Sequence, residues 1–330
     1  MNIYLQTGIK TDDIRQCDGS DFFYIEEYER PIALYVYPED SINYDLERAL
    51  VILYDTFRTF LFEDTDQYYS ELYALPIFVT SAGYDSVCSL SVVEFNQLIE
   101  EENYVSSSNF YKHLYMQDCQ AIISTIQNLL SGMEYSFISY YKMISDITLL
   151  NVSCESGIYI CSSEKVRVIS TLLESYFTKG YSILDMFCKI LFEFQKPQND
   201  FTKYQKLKSS NKLWGDRKHL DLSGFTGSVY ESCDTISMIE ALRNEVVHNG
   251  SWEQNPKVFL KVEDGQIIER YMMFPDIIQG HLCSSKNRKH FFSMGIKVNE
   301  ILPAIHLEFK QRLHKTVEQL NEKYNTLQCH

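Results

Sequence analysis

The apolar positions of this chain recur mostly with a helical period. Leu46, Leu50, Leu53 and Phe57 follow one another at intervals of 4, 3 and 4 and predict a helix from Ser41 onward. Ser91-x-x-Glu94 is a capping box, and it opens a helix into the acidic run Glu100-Glu101-Glu102. Leu114, Ile122, Ile126 and Leu129 mark a helix reaching about Ser131, and a further helix is predicted over roughly 135–150. From Ser162 to Phe194 the apolar surface is broad enough for a central buried helix, with Gly180 as a break or a close-packing point. Another helix is predicted from Asp234 to Asn249, and a terminal amphipathic one from Phe291 to Leu327, kinked or divided at Pro303.

Strand signals are fewer. Ile32–Tyr37 lies between two prolines, and Pro76–Thr80 reads as a second strand. Val258–Met273, interrupted by Asp264-Gly265, predicts a β-hairpin. Residues 157–161 fit a short strand or a loop, and 196–230 read as a long polar loop or linker. The expected fold is mainly α, with a small hairpin and an N-terminal α+β region. The expected boundaries are 1–106 for that region and 107–330 for a helical domain.

Charge adds a division that the periodicity does not show. Residues 1–110 carry 21 acids and 5 bases, whereas 111–330 carry 24 acids and 25 bases. The net charge of -15 is therefore a property of the first third, suited to recruiting a basic partner, shielding a basic surface or keeping the chain soluble. Within the neutral remainder, one basic cluster holds Lys203, Lys206, Lys208, Lys212, Arg217 and Lys218. A second holds Lys286, Arg288 and Lys289, followed by His290. Such clusters are solvated surface or a track for a phosphate backbone, with Tyr204 and Trp214 available for stacking. The 24 Tyr residues suit a substantial interface, although a core can also use them. No run is apolar enough to predict a transmembrane helix, and the first residues do not read as a secretory signal. Nine scattered Cys without a C-x-x-C fit reduced thiols in a cytoplasm.

One segment carries chemistry: Ala241-Leu242-Arg243-Asn244-Glu245-Val246-Val247-His248-Asn249-Gly250. Ile239, Leu242 and Val246 give it an apolar face, and Gly250 suits a helix C-cap. His248 then sits in the last turn. There the negative end of the helix dipole favours the imidazolium and a neighbouring guanidinium opposes it, a balance suited to acid–base work near neutral pH. Residues five apart are separated by about 140° on an ideal helix. Arg243 and His248 therefore need a cleft against another helix, a loosened last turn or a second copy of the chain to act together. Asn244 and His248, four apart, share a face.

This segment resembles the HEPN superfamily, whose mark is Arg, four to six residues, then His, often with Asn after the Arg. Arg243, Asn244 and His248 match as R-N-x-x-x-H. The helix containing Tyr181-Ser182-Ile183-Leu184-Asp185-Met186-Phe187 is similar in character to the helix that partners the motif helix in one group of that superfamily. The resemblance covers about 107–325, most firmly 165–250, and leaves 1–106 outside it.

It implies a helical bundle, often dimeric, that cleaves RNA without a metal or other cofactor, by attack of the ribose 2′-OH to leave a 2′,3′-cyclic phosphate. His248 would be the general acid or base, Arg243 would stabilise charge on the transition state, and Asn244 would orient the phosphate or the imidazole. By their charge, Lys212, Arg217, Lys218, Arg288 and Lys289 are the candidate RNA contacts, and Asp185, set in an apolar stretch, either pairs with Arg243 in support or simply faces solvent. The implied setting is antiviral defence or a toxin system, with a homodimer and a protein partner or antitoxin at the acidic N-terminal region. Gly250 stands where some members carry a modifiable tyrosine.

Two other readings stay open: a non-catalytic HEPN module that binds RNA, a nucleotide or a protein partner, and an enzyme whose site lies in residues 1–106. A Ser/His/Asp or Cys/His set can also be assembled from distant positions, though no nucleophile elbow or phosphate loop marks one. His219, His281 and His290 read as ordinary surface histidines.

Overall fold

The computed structural model describes residues 2–13, 23–26, 33–36, 41–62, 64–101, 107–149 and 155–325. The chain is mainly helical with small antiparallel sheets. It divides into two compact units built from interleaved segments. One takes 1–45, 129–182 and 227–314, and the other takes 46–128, 183–226 and 315–330. The units do not follow the two consecutive stretches, 1–106 and 107–330, of the sequence reading, because individual long helices supply residues to both.

The first unit opens with a four-stranded antiparallel sheet of β1 (Asn2–Leu5), β2 (Lys10–Thr11), β3 (Phe23–Glu26) and β4 (Ala33–Val36), in the order β2-β1-β3-β4. The strand expected at Ile32–Tyr37 is β4; residues 32 and 37 lie outside the described residues. A second sheet joins β5 (Gly157–Cys161) to the hairpin β6 (Val258–Glu263) and β7 (Gln266–Tyr271). Segment 157–161 is thus a strand, and the hairpin turns at Asp264-Gly265, both with positive φ. The short pair β8 (Ile277–Ile278) and β9 (His281–Leu282) follows.

The helices are α1 (Ser41–Leu61), α2 (Thr65–Ala74), α3 (Phe78–Ser81), α4 (Val92–Glu101), α5 (Ser107–Ser145), α6 (Glu164–Gln195), α7 (Asp234–Asn249) and α8 (Val298–Asn325). The capping box at the start of α4 is formed: Ser91 N–H donates to Glu94 and Glu94 N–H donates to Ser91 Oγ. Gly180 does not break α6. It is a close-packing point, where a Cβ would meet Ile239 of α7 at 3.4 Å and Met133 of α5 and Phe309 of α8 at 3.7 Å.

Three expectations are corrected. Pro76–Thr80 is not a strand. Phe78–Ser81 forms one helical turn, and the Thr80 and Ser81 hydroxyls donate back to Ile77 O, satisfying locally what a strand would leave for a partner. The helices expected to end near 131 and to begin near 135 are one, α5, which passes through Gly132 and ends at Ser145. The cost of one helical glycine, about 1 kcal/mol, is small beside the burial of Ile126, Leu130, Met133 and Phe137 along the continuous face. The terminal helix begins at Val298, not Phe291. The Asp276 carboxylate accepts from Ser293 N and Oγ and from Met294 N, which holds that stretch as a loop.

Pro303 does not divide α8, which runs through it. Proline lacks the N–H that would bond the carbonyl four residues back, Asn299 O. Tyr141 donates its hydroxyl to that oxygen at 2.9 Å instead. The Asn299 side chain accepts from Tyr140 at 2.6 Å and donates to Gln6 O and Arg270 O at 2.9 Å. One residue thus ties the start of α8 to α5 and to both sheets' chain segments.

In the second unit, Phe57, Phe194 and Tyr324 stack in series, with centroids 3.9 and 4.3 Å apart. The polar segment after α6 is anchored rather than a free linker. Glu193, fully buried, accepts from Tyr115 OH and Ser209 N–H, both at 2.8 Å, and the Gln195 side chain exchanges two hydrogen bonds with the Asp221 backbone.

Candidate functional site

Helix α7 is the element that carries the motif. The Cys233 side chain accepts from Ile236 N–H at its start. Gly250 closes it in the left-handed conformation, φ 86°, with its N–H on Val246 O at 3.1 Å. Thr235, Ile236, Met238, Ile239, Leu242 and Glu245 form its buried face. Five of these are apolar or small enough for a core. The sixth, Glu245, is a carboxylate and needs partners to be buried.

Arg243 is half-buried, with its guanidinium over the Tyr181 ring at 4.4 Å from the centroid. It also donates to the Asn244 amide oxygen at 3.0 Å. This cation–π contact and hydrogen bond fix the group without an ion pair among the described residues. His248 is exposed and has no hydrogen bond or ion pair among the described residues. It stands in the last turn as predicted, but no hydrogen bond joins it to Arg243 among the described residues. Asn244, on His248's face, has its amide oxygen engaged by Arg243, not by the imidazole.

Glu245 lies inside the motif and was not singled out from the sequence. Its Oε1 pairs with Lys289 Nζ at 2.8 Å, and its Oε2 accepts from Asn249 Nδ2 at 2.8 Å. His290 Nε2 comes within 3.3 Å of Oε2, near enough to attract but not aligned as a hydrogen bond. Burial alone would raise the carboxyl's pKa. The bonds from Lys289 and Asn249 and the charges of Lys289 and His290 outweigh it and hold Glu245 below the usual carboxylate range. The signal for Glu245 was its place three residues after Leu242 on the apolar face, a charge where a core residue is expected.

Glu245 and Asn249 line a cleft of about 860 Å³ together with Ser251, Glu253–Asn255, Lys257 and Asn287–Phe292. Two expected RNA contacts, Arg288 and Lys289, are therefore in the cleft beside the motif helix. Neither Arg243 nor His248 lines it. His290, set aside as an ordinary surface residue, is in its wall.

The other expected contacts belong to the second unit. Lys212 lies over Phe192 at 5.3 Å. Arg217 stacks on Trp214 at 4.1 Å and donates to its carbonyl. Lys218 is exposed. Asp185 lies in this unit too. Its Oδ1 accepts from Trp214 N–H at 2.6 Å and so fixes the 3₁₀ turn Trp214–His219. The tyrosines line a further depression of about 710 Å³ in the same unit, where Tyr54, Tyr68, Tyr69 and Tyr73 surround Arg58.

No group of three or more His, Cys, Asp or Glu side chains is placed to hold a metal ion among the described residues, and none of their helices is long and apolar enough to cross a membrane. Compared with known family models, curated proteins and solved structures, the chain matches none.

Proposed function

We propose that this chain is a metal-independent endoribonuclease of the HEPN type, acting as a cytoplasmic homodimer in antiviral defence or a toxin system. The observation that carries the reading is the end of α7. A guanidinium held by an aromatic ring and a neighbouring amide, and an exposed imidazole, occupy its last two turns beside a cleft containing Arg288 and Lys289. In the reaction, the ribose 2′ oxygen attacks phosphorus and the P–O5′ bond breaks. The 2′ proton leaves to a base, and the 5′ oxygen takes up a proton from an acid. His248 serves as acid or base, and Arg243 neutralises the charge that builds on the phosphoryl oxygens.

About 140° separates the two side chains around the helix, and of the ways to bring them together the reading takes the second copy: Arg243 of one protomer works with His248 of another. The test is cleavage of RNA in EDTA. Arg243→Ala and His248→Ala should each lose two to four orders of magnitude, with 2′,3′-cyclic phosphate ends in the wild type. Undiminished cleavage by both variants ends the reading. Mixing the two inactive variants should restore about a quarter of the wild-type rate, since half of the mixed dimers' sites are intact. No recovery would place the reacting pair within one protomer.

That no hydrogen bond joins Arg243 to His248 among the described residues favours a second reading, a non-catalytic module that binds RNA, a nucleotide or a protein partner. Tight RNA binding without cyclic phosphate products would select it.

A further inference from the structure

We propose that the cleft bounded by the end of α7 and the segment 287–292 is a single-nucleotide subsite. Its base would be held by the side-chain amides of Asn255 and Asn287 and the ring of Phe291, and its phosphate by Arg288. The proposal deepens the ribonuclease reading, naming the place where a base is recognised, and it rests on that reading only for the identity of the polymer.

The volume, about 860 Å³, is within the range of small-ligand clefts. Its charges are already sorted. Glu245 is neutralised by Lys289 at 2.8 Å, and Glu253 by Lys257 at 3.0 Å. Arg288 is the lining cation left without an ion pair among the described residues, and its fork of donors matches a phosphate. Asn255 and Asn287 have side-chain amides with no hydrogen-bond partner among the described residues. An amide offers a donor and an acceptor side by side, the pattern presented by a base edge. Phe291, 37% exposed, supplies an aromatic surface for a base. A purely anionic ligand would use Arg288 and leave the amides and the ring idle. A purely apolar one would leave the cation and the amides unsatisfied. A nucleotide uses all three.

Isothermal titration with the four ribonucleoside 3′-monophosphates, and with inorganic phosphate in parallel, tests this. These ligands have no scissile bond, so the outcome is readable whether or not the protein cleaves RNA. At least one nucleotide should bind ten times more tightly than phosphate. Arg288→Ala and Asn287→Ala, both on an exposed turn, should each weaken it about tenfold, with an unchanged circular dichroism spectrum. No nucleotide binding, affinity equal to that of phosphate, or binding undiminished in both variants overturns the proposal. Nucleotide binding without RNA cleavage keeps the subsite and removes the nuclease. Cleavage without nucleotide binding does the reverse.

Discussion

Two histidines in the same unit stand in opposite surroundings. His306 of α8 is buried and stacked on Phe137, with centroids 4.1 Å apart. Its Nδ1 lies 3.1 Å from Tyr176 OH and its Nε2 2.9 Å from Glu134 Oε2, the oxygen that also pairs with Lys310 at 2.8 Å. His248 of α7 is exposed and has no such partner among the described residues. A histidine whose nitrogens and faces are occupied holds helices together. One whose ring is open to solvent is free to meet a substrate. The contrast also separates two kinds of buried charge. Glu134 serves a polar knot linking α5, α6 and α8, whereas Glu245 fixes the wall of a cleft.

The contrast can be broken most directly at the knot. Glu134→Ala leaves Lys310, buried, without this carboxylate, and should lower stability by about 3 kcal/mol in urea unfolding at pH 7. A change below 1 kcal/mol would mean that Lys310 is satisfied by other partners. Next comes pH. Burial is the main cause that lowers the pKa of His306, aided by Lys310 and opposed by Glu134; burial likewise lowers His113. A folded pKa below the unfolded value of about 6.5 means that the unfolded chain binds the proton more readily. Stability is therefore complete above about pH 6.5 and is lost as pH falls toward the folded pKa values. Thermal melts from pH 7.5 to 5 should show this fall. His306→Gln should flatten the slope; a slope equal to that of the wild type would remove His306 as its source.

Smaller effects sharpen the other side. Gly250→Ala forces an L side chain to φ 86° and should cost about 1 kcal/mol while loosening the turn that carries His248. His248→Ala should move stability by less than about 0.5 kcal/mol, measured in the same urea series. A larger loss would make His248 a structural residue.

Much of the fold was legible because its causes are local. Helix α7 was bounded correctly by its apolar spacing and its C-terminal glycine, and the hairpin by Asp264-Gly265. Where the reading failed, a distant group had supplied what the local sequence lacked. Tyr141 replaces the donor that Pro303 removes, Asp276 holds 293–294 out of α8, and continuous burial carries α5 through Gly132. The candidate site divides in the same way. Arg243, Asn244 and His248 were visible as a spacing, but Tyr181 beneath the guanidinium and Lys289 and His290 around Glu245 were not. The Trp214 N–H that Asp185 accepts from was not visible either, since a carboxylate in an apolar stretch announces a need for a donor without naming it.

The sequence by itself determined the helical periods, their caps and the order of the motif, because these depend on groups within a few residues of one another. Only the tertiary structure decided which charges were neutralised and which amides came to face one cleft, because those outcomes depend on side chains brought together from segments far apart in the chain, as Glu134 and Lys310 are.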